Sequence, residues 1–333
     1  MKILFIFTGG TIGSTQSDDV IFADAQKSYK IIRAYAKKYA LDFAYDVVEP
    51  YTELSENNTG ATIRDLCACV RSQLDKGYDG MIVTHGTDTL QYSAAALGYL
   101  LGLSTPPVCL VSANRPIESE STNALDNLHA AITFIREGAG QGVFVPYRNE
   151  NSATVQMHRG TRLIAGKAYG DDVCSIFNCP YGHFEADFTF VKNPDYREAA
   201  DECPALAASA LDEQNKAVLS IVPYPGMVYP TLEKATRFVM LHTYHSGTIN
   251  TKSTDALRFL QQARESGVTV FATGISAGPR YAGADLFESL GITPLQNLSP
   301  IAAYMKLWML CDNAEADIST LMRASLGGDI APD

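Results

Sequence analysis

Met81-Ile82-Val83-Thr84-His85-Gly86-Thr87-Asp88-Thr89 passes from the apolar pattern of a buried strand to hydroxyls, a glycine, a histidine and a carboxylate, then into helix-compatible sequence. Phe7-Thr8-Gly9-Gly10-Thr11-Ile12-Gly13 makes the same transition after the apolar run Ile3–Phe7. In an open α/β sheet the carboxyl edge of the strands is where ligands bind, because loops there collect backbone N–H groups and helix N-termini. Two such loops, offering Thr11, Thr87 and Asp88, point to hydroxyl-based nucleophilic chemistry on a small polar substrate.

Outward from these loops, strand-like runs recur at Ile3–Phe7, Asp46–Val48, Met81–Val83, Val108–Ser112 and Val143–Pro146. Helical periodicity fills the gaps at Ala25–Tyr39, Thr62–Lys76, Thr89–Leu101 and Ser121–Glu137. That alternation predicts βαβ units and a mainly parallel sheet flanked by helices. Thr161–Phe177 breaks the rhythm and reads as a hairpin or an extended pair. From Gly182 to Asn215 prolines and acids accumulate with little strand pattern. Strands then return at Ala217–Val222, Phe238–Thr243 and Val268–Thr273, with helices at Leu257–Ser266, Ala284–Leu290 and Ser299–Leu310. The expected organisation is α/β throughout: a larger N-terminal domain over 1–185, a linker over 186–215 and a smaller C-terminal α/β domain over 216–333.

The balance of 26 Lys and Arg against 37 Asp and Glu gives a net charge of −11. No basic run interrupts it, so neither nucleic acid nor an anionic membrane is expected as a partner. No apolar stretch reaches the ~18–20 residues of a membrane span. The opening run passes straight into the glycine loop without a leader pattern, so a cytoplasmic location is expected. Seven cysteines without a Cys-x-x-Cys read as reduced thiols. Among six histidines only His242 and His245 lie close together. Strand geometry sends i and i+3 to opposite faces, and no metal site is expected.

Each loop also has a simpler reading. Glycines with positive φ and capping threonines serve any strand-to-helix turn, and His85 could be a core histidine. A dinucleotide loop is disfavoured, since G-x-G-x-x-G is absent. Yet the His-Gly-Thr-Asp-Thr concentration is more than capping requires. Together the Thr-Gly-Gly-Thr-Ile-Gly of 8–13 and the His-Gly-Thr-Asp-Thr of 85–89 resemble the two signature segments of bacterial-type L-asparaginases, in order, spacing and strand context. Ser55-Glu56-Asn57-Asn58-Thr59-Gly60 is similar to the family's substrate-binding segment. Ser112-Ala113-Asn114-Arg115-Pro116 and Pro294-Leu295-Gln296-Asn297-Leu298-Ser299-Pro300 extend the likeness to the whole chain, which resembles the cytoplasmic type I enzymes but diverges in the lid loop.

The resemblance implies an amidohydrolase acting without a cofactor on L-asparagine, with L-glutamine as an alternative substrate that Glu56 could tolerate. Thr11 would attack the side-chain amide, and a relay of Thr87, a lysine and Asp88 would manage protons. Arg159-Gly160-Thr161-Arg162-Leu163-Ile164-Ala165-Gly166-Lys167 resembles the family's stretch from Arg-Gly to that lysine. Lys167 is therefore the candidate, two residues later than in the cytoplasmic-type enzymes. Gly10, Gly86, Ser55 and Glu56 would bind substrate, with Ser55 on its α-carboxylate and Glu56 and Asp88 matching its α-ammonium. The family's lid tyrosine has no counterpart in Ser14–Ala23, where Phe22 is nearest; Tyr29 follows in helix-like sequence. Thr248 stands where a loop entering the neighbouring subunit's site often presents Asn, and a homodimer or homotetramer is implied. Three rivals remain: an amide donor subunit of a tRNA-dependent amidotransferase, against which the start at the first strand and the acidity count; a non-catalytic amino-acid sensor; and an amidase for glutamine or another small amide.

Overall fold

A computed structural model describes residues 1–9, 14–17, 20–23, 30–167, 169–313 and 317–332. Strand β1 (Lys2–Phe7) leads to a ribbon of β2 (Ser14–Ser17) and β3 (Val20–Ala23), then α1 (Lys30–Lys38), β4 (Ala44–Val48) and α2 (Gly60–Arg71). There follow β5 (Gly80–Thr84), α3 (Leu90–Leu101), β6 (Val108–Val111), α4 (Ala124–Glu137) and β7 (Val143–Tyr147). Three further strands, β8 (Gln156–Arg159), β9 (Gly182–Phe184) and β10 (Phe190–Lys192), complete the first half. The second half holds β11 (Val218–Ile221), β12 (Phe238–His242), α5 (Thr254–Glu265), β13 (Thr269–Ile275), β14 (Ile292–Gln296), α6 (Pro300–Leu310) and α7 (Ile318–Arg323).

The larger sheet runs β10-β9-β8-β7-β6-β5-β1-β4. Its five strands from β4 to β7 are parallel, and β8, β9 and β10 join antiparallel. Apolar residues of α1 and α4 cover one face, around Ile3, Phe5 and Phe144. Those of α2 and α3 cover the other, around Leu4, Val83 and Val145. The chain therefore leaves β1 on one face for β4 and returns over the opposite face to β5. That reversal opens a crevice at the carboxyl ends of β1 and β5.

The smaller sheet, β11-β12-β13-β14, is parallel throughout. Helix α6 is apolar around almost its whole circumference, as a helix enclosed on all sides must be. It lies in the same apolar core as α3, and that core also takes in Phe238, Met240 and Phe271 of the smaller sheet. One cluster of charged and polar groups there is densely paired. Lys306 of α6 and Asp329 are fully buried with Nζ and Oδ2 2.9 Å apart. The Tyr99 hydroxyl donates to the same oxygen at 3.1 Å, while the Leu326 and Ile330 amides donate to Oδ1. Burial pushes the Tyr99 phenol well above its ordinary value, so it stays a donor.

Several local expectations change. Two strands, β9 and β10, lie in the stretch read as poor in strand; each has three residues, too few for periodicity to register. Thr161–Phe177 pairs, among the described residues, at one antiparallel bridge, Leu163 with Ser175, after a 3₁₀ turn at Gly160–Arg162. Ala284–Leu290 forms only a 3₁₀ turn, Ala284–Leu286, before Gly291 turns the chain with φ +76° into β14. All seven cysteines are free thiols. No described helix is long and apolar enough to cross a membrane.

Replacing Asp329 by Ala would leave Lys306 as an uncompensated buried cation, a loss of about 3–5 kcal/mol. Urea unfolding of Asp329→Ala against the parent protein measures it.

Candidate active site

Parallel pairing aligns Phe7 with Thr84, so the two glycine- and threonine-bearing loops start side by side. The Thr8 hydroxyl donates to the Thr84 carbonyl at 2.5 Å, and the Thr84 hydroxyl accepts from the Thr8 amide at 3.4 Å. Gly9 then bridges to Glu53 with φ +95°. A Cβ there would lie 2.4 Å from the Glu53 carbonyl oxygen, so the approach of these segments requires glycine. Gly10 and Thr11 fall outside the described residues, as does Tyr29. Of the expected lid, Ser14–Ser17 and Val20–Ala23 pair as an antiparallel ribbon that includes Phe22.

In the second loop Gly86 is buried, Thr87 half-buried and Asp88 exposed. Ser55, buried on a 3₁₀ turn at Ser55–Asn57, donates to Asp88 Oδ2 at 2.8 Å and accepts from the Asp88 amide at 3.2 Å. Thr89 donates to the Ser55 carbonyl at 2.8 Å and accepts from Asn58 Nδ2 at 3.0 Å. The 55–58 segment and the second loop are thus one hydrogen-bonded unit. Glu56 on the same turn is exposed.

Beneath Thr87, the buried His85 ring lies 2.7 Å from the Gly86 carbonyl through Nδ1 and 2.8 Å from the Ser93 hydroxyl through Nε2. Burial pushes its imidazole below the ordinary histidine value, which keeps it neutral.

Thr87, Asp88 and Gln91 face Lys167, Asp171 and Asp172 across a cleft of about 480 Å³. Lys167 also borders a second cavity of about 680 Å³, shared with His245 and Ser276. Its own loop is exposed, and among the described residues Lys167 Nζ makes no ion pair or hydrogen bond. The loop's ends are held: the Ile164 amide donates to the Cys174 carbonyl at 3.0 Å, and Ser299 donates to the Leu163 carbonyl. Ser175 lies 2.8 Å from Nδ1 of the buried His158. Burial takes His158 from 6.5 down to about 4.

Of the residues expected at the site, the structure brings Thr87, Asp88, Gly86, Ser55 and Lys167 to one region. Thr248 does not line this cleft; it sits in the turn after β12, its hydroxyl 2.9 Å from that of Ser246. Sequence reading passed over Asn58, although it stands inside the Ser55–Gly60 segment. Only the fold shows that its amide reaches Thr89. Among the described residues no group of His, Cys, Asp or Glu is placed to hold a metal ion.

The architecture is that of solved L-asparaginases. It superposes on the thermostable L-asparaginase of Thermococcus kodakarensis with a TM-score of 0.81 at 22% identity, covering 100% of both chains. The L-asparaginase I of Vibrio cholerae gives 0.77 at 22% identity over 99% of each chain. The family model described as "Asparaginase, N-terminal" matches residues 2–181. The chain belongs to the asparaginase family, and with it to the amidohydrolases. By sequence it is 26% identical to the Thermococcus kodakarensis L-asparaginase over 99% of both chains. It is also similar to proteins named as one of the subunits of glutamyl-tRNA(Gln) amidotransferase: 26% identical to that of Pyrobaculum aerophilum (99% of this chain, 80% of that one) and 29% to that of Haloquadratum walsbyi (98% and 75%).

Two measurements follow. Gly9→Ala strains the backbone and drives a methyl into Glu53, at a cost of about 1–3 kcal/mol or more, visible as a lower melting temperature. The unfolded chain protonates His158 near pH 6.5 and the folded chain only near 4, so this contribution is full above 6.5 and lost as pH falls towards 4. The difference amounts to about 3 kcal/mol. Urea midpoints at pH 7 and 4.5 should differ less in His158→Gln than in the parent protein.

Proposed function

We propose that this protein hydrolyses the side-chain amide of L-asparagine to L-aspartate and ammonia. The observation that carries the reading is the cleft shared by Thr87, Asp88 and Lys167, with Ser55 bonded to Asp88 at its rim. Thr11, in the Thr8–Gly13 segment that follows β1 in sequence, is the nucleophile. Its oxygen adds to the amide carbon as its proton leaves, and the carbonyl oxygen takes the negative charge. Backbone N–H groups of the two strand-end loops stabilise that oxyanion. The nitrogen takes a proton and departs as ammonia, leaving a β-aspartyl ester on Thr11. Water then adds to the ester carbon, releases aspartate and returns a proton to Thr11.

Thr87 and Lys167 exchange the protons these steps need, with the Asp88 carboxylate compensating the ammonium form. Ser55 orients Asp88 and meets the substrate α-carboxylate; Glu56 and Asp88 attract its α-ammonium. Gly10 and Gly86 let the loop backbones approach the substrate. Thr248 acts in the site of a second copy of the chain, within a homodimer or homotetramer. The acidic chain is read as a cytoplasmic enzyme without a nucleic-acid or membrane partner and without a cofactor.

A second reading is favoured by the relatives named for the tRNA-dependent amidotransferase: a domain that releases ammonia for use by a partner. Ammonia release by the purified chain separates the two. Steady turnover of free L-asparagine without any partner supports the first. Binding without turnover of L-asparagine or L-glutamine would replace it by a partner-dependent donor or a sensor. In the active protein, Thr11→Ala should abolish release. Thr87→Ala and Lys167→Met should each lower kcat by about a hundredfold or more.

A further inference from the structure

The geometry assigns His85 the role of a positioning residue that aims the Thr87 amide into the cleft by pinning the carbonyl of the same peptide unit. This rests on the amidohydrolase reading of the site and adds to it a group that touches no substrate.

The hydrogen bonds around the ring fix its protonation. Nδ1 lies 2.7 Å from the Gly86 carbonyl oxygen, which only accepts, so Nδ1 carries the proton and donates. On the other side Nε2 faces the Ser93 hydroxyl at 2.8 Å and Asn58 Nδ2 at 3.4 Å. The orientation of the Asn58 amide is set independently. Thr89 spends its only hydroxyl proton on the Ser55 carbonyl, so the Asn58 atom 3.0 Å from it must be the donor. Nε2 therefore meets a donor and is the acceptor. A doubly protonated ring would place donor against donor in a buried setting, so the neutral Nδ1–H tautomer is the one that fits.

That tautomer has a consequence for the reacting side. Peptide units here are trans, so the Gly86 carbonyl and the Thr87 N–H point in opposite directions. Holding the carbonyl against His85, on the α3 side, turns the N–H away from the ring. Thr87 lines the cleft, and among the described residues its N–H donates to nothing. Glycine at 86 would otherwise allow this peptide to rotate. The Ser93 and Asn58 contacts hold the ring so that the constraint is transmitted.

The test uses three substitutions with different reach. Asn at 85 can present an amide N–H where Nδ1 was; Gln reaches towards Ser93 but not Gly86; Leu keeps only bulk. His85→Asn is expected to hold kcat within about tenfold, while His85→Gln and His85→Leu lose about a hundredfold in kcat, in line with loss of an oxyanion donor. KM should stay within about threefold in all. Equal losses in Asn and Leu variants of intact fold, or a rise in KM at constant kcat, would overturn the assignment. Long-range proton–nitrogen NMR of histidine-labelled protein reads the tautomer whatever the activity. A protonated Nδ1 and bare Nε2 at pH 8 is expected; the opposite tautomer would overturn it. If the parent protein turns over neither amide, the functional reading fails by itself. Positioning is then decided by the tautomer and by the Thr87 amide resonance, expected to shift in His85→Leu and to hold in His85→Asn.

Discussion

The site depends on one pairing, that of β1 with β5 in parallel and in the register Phe7 opposite Thr84. It makes two loops far apart in sequence leave the sheet as neighbours, about 5 Å apart. A slip of one residue would turn every side chain of a strand to the opposite face. Ile6 and Val83 would leave the core under α3, and His85 would leave Ser93. Apolar burial of these strands therefore fixes the relative placement of polar groups it does not itself contact. The bonds between Thr8 and Thr84, and the close approach of Gly9 to Glu53, secure the same alignment at the strand ends.

The cleft has two unlike sides. One is a chain of hydrogen bonds from Ser93 through His85, Asn58, Thr89 and Ser55 to Asp88, seated between the sheet and α3. Each member is oriented by the next, although the buried Asn58 Oδ1 itself has no hydrogen-bond partner among the described residues. The other side is the exposed loop between Ile164 and Cys174, held by the bond between those two residues and by Asn149 and Glu150 at Val173 and Asp172. Binding groups that need fixed placement belong on the first side. A group that must exchange a proton with its surroundings can sit on the second.

Much of this was legible in the sequence because both signals are local. Apolar runs of four to six residues followed by glycine and threonine mark strand ends whatever surrounds them, and the parallel sheet follows from the helices between. Illegible features were those decided by distant partners. The bridge of Leu163 to Ser175 needs the surroundings of His158 and Ser299. Strand β14 has Pro294 within it and is stabilised by pairing with β13, which periodicity does not report. Asn58 reads as an ordinary turn residue until Thr89 is placed beside it. Thr87, Asp88 and Ser55 were found as a group because the motif carries them; their bonding order was not.

Lys167, the lysine proposed above to exchange protons with Thr87, stands two residues beyond the position that the resemblance implies. Its placement two residues beyond the usual position would make Ala165 the residue at the expected distance from Arg159. In extended backbone a step of two restores the same side of the chain, whereas a step of one reverses it. The backbone is extended at Leu163, where the loop begins, with φ −67° and ψ 141°. Two residues add about 6–7 Å of chain, close to the length of a lysine side chain. A loop fixed at both ends can absorb that length by bowing outward and turning the side chain back to the cleft. Lys167 borders the same cleft as Thr87 and Asp88, as this compensation requires.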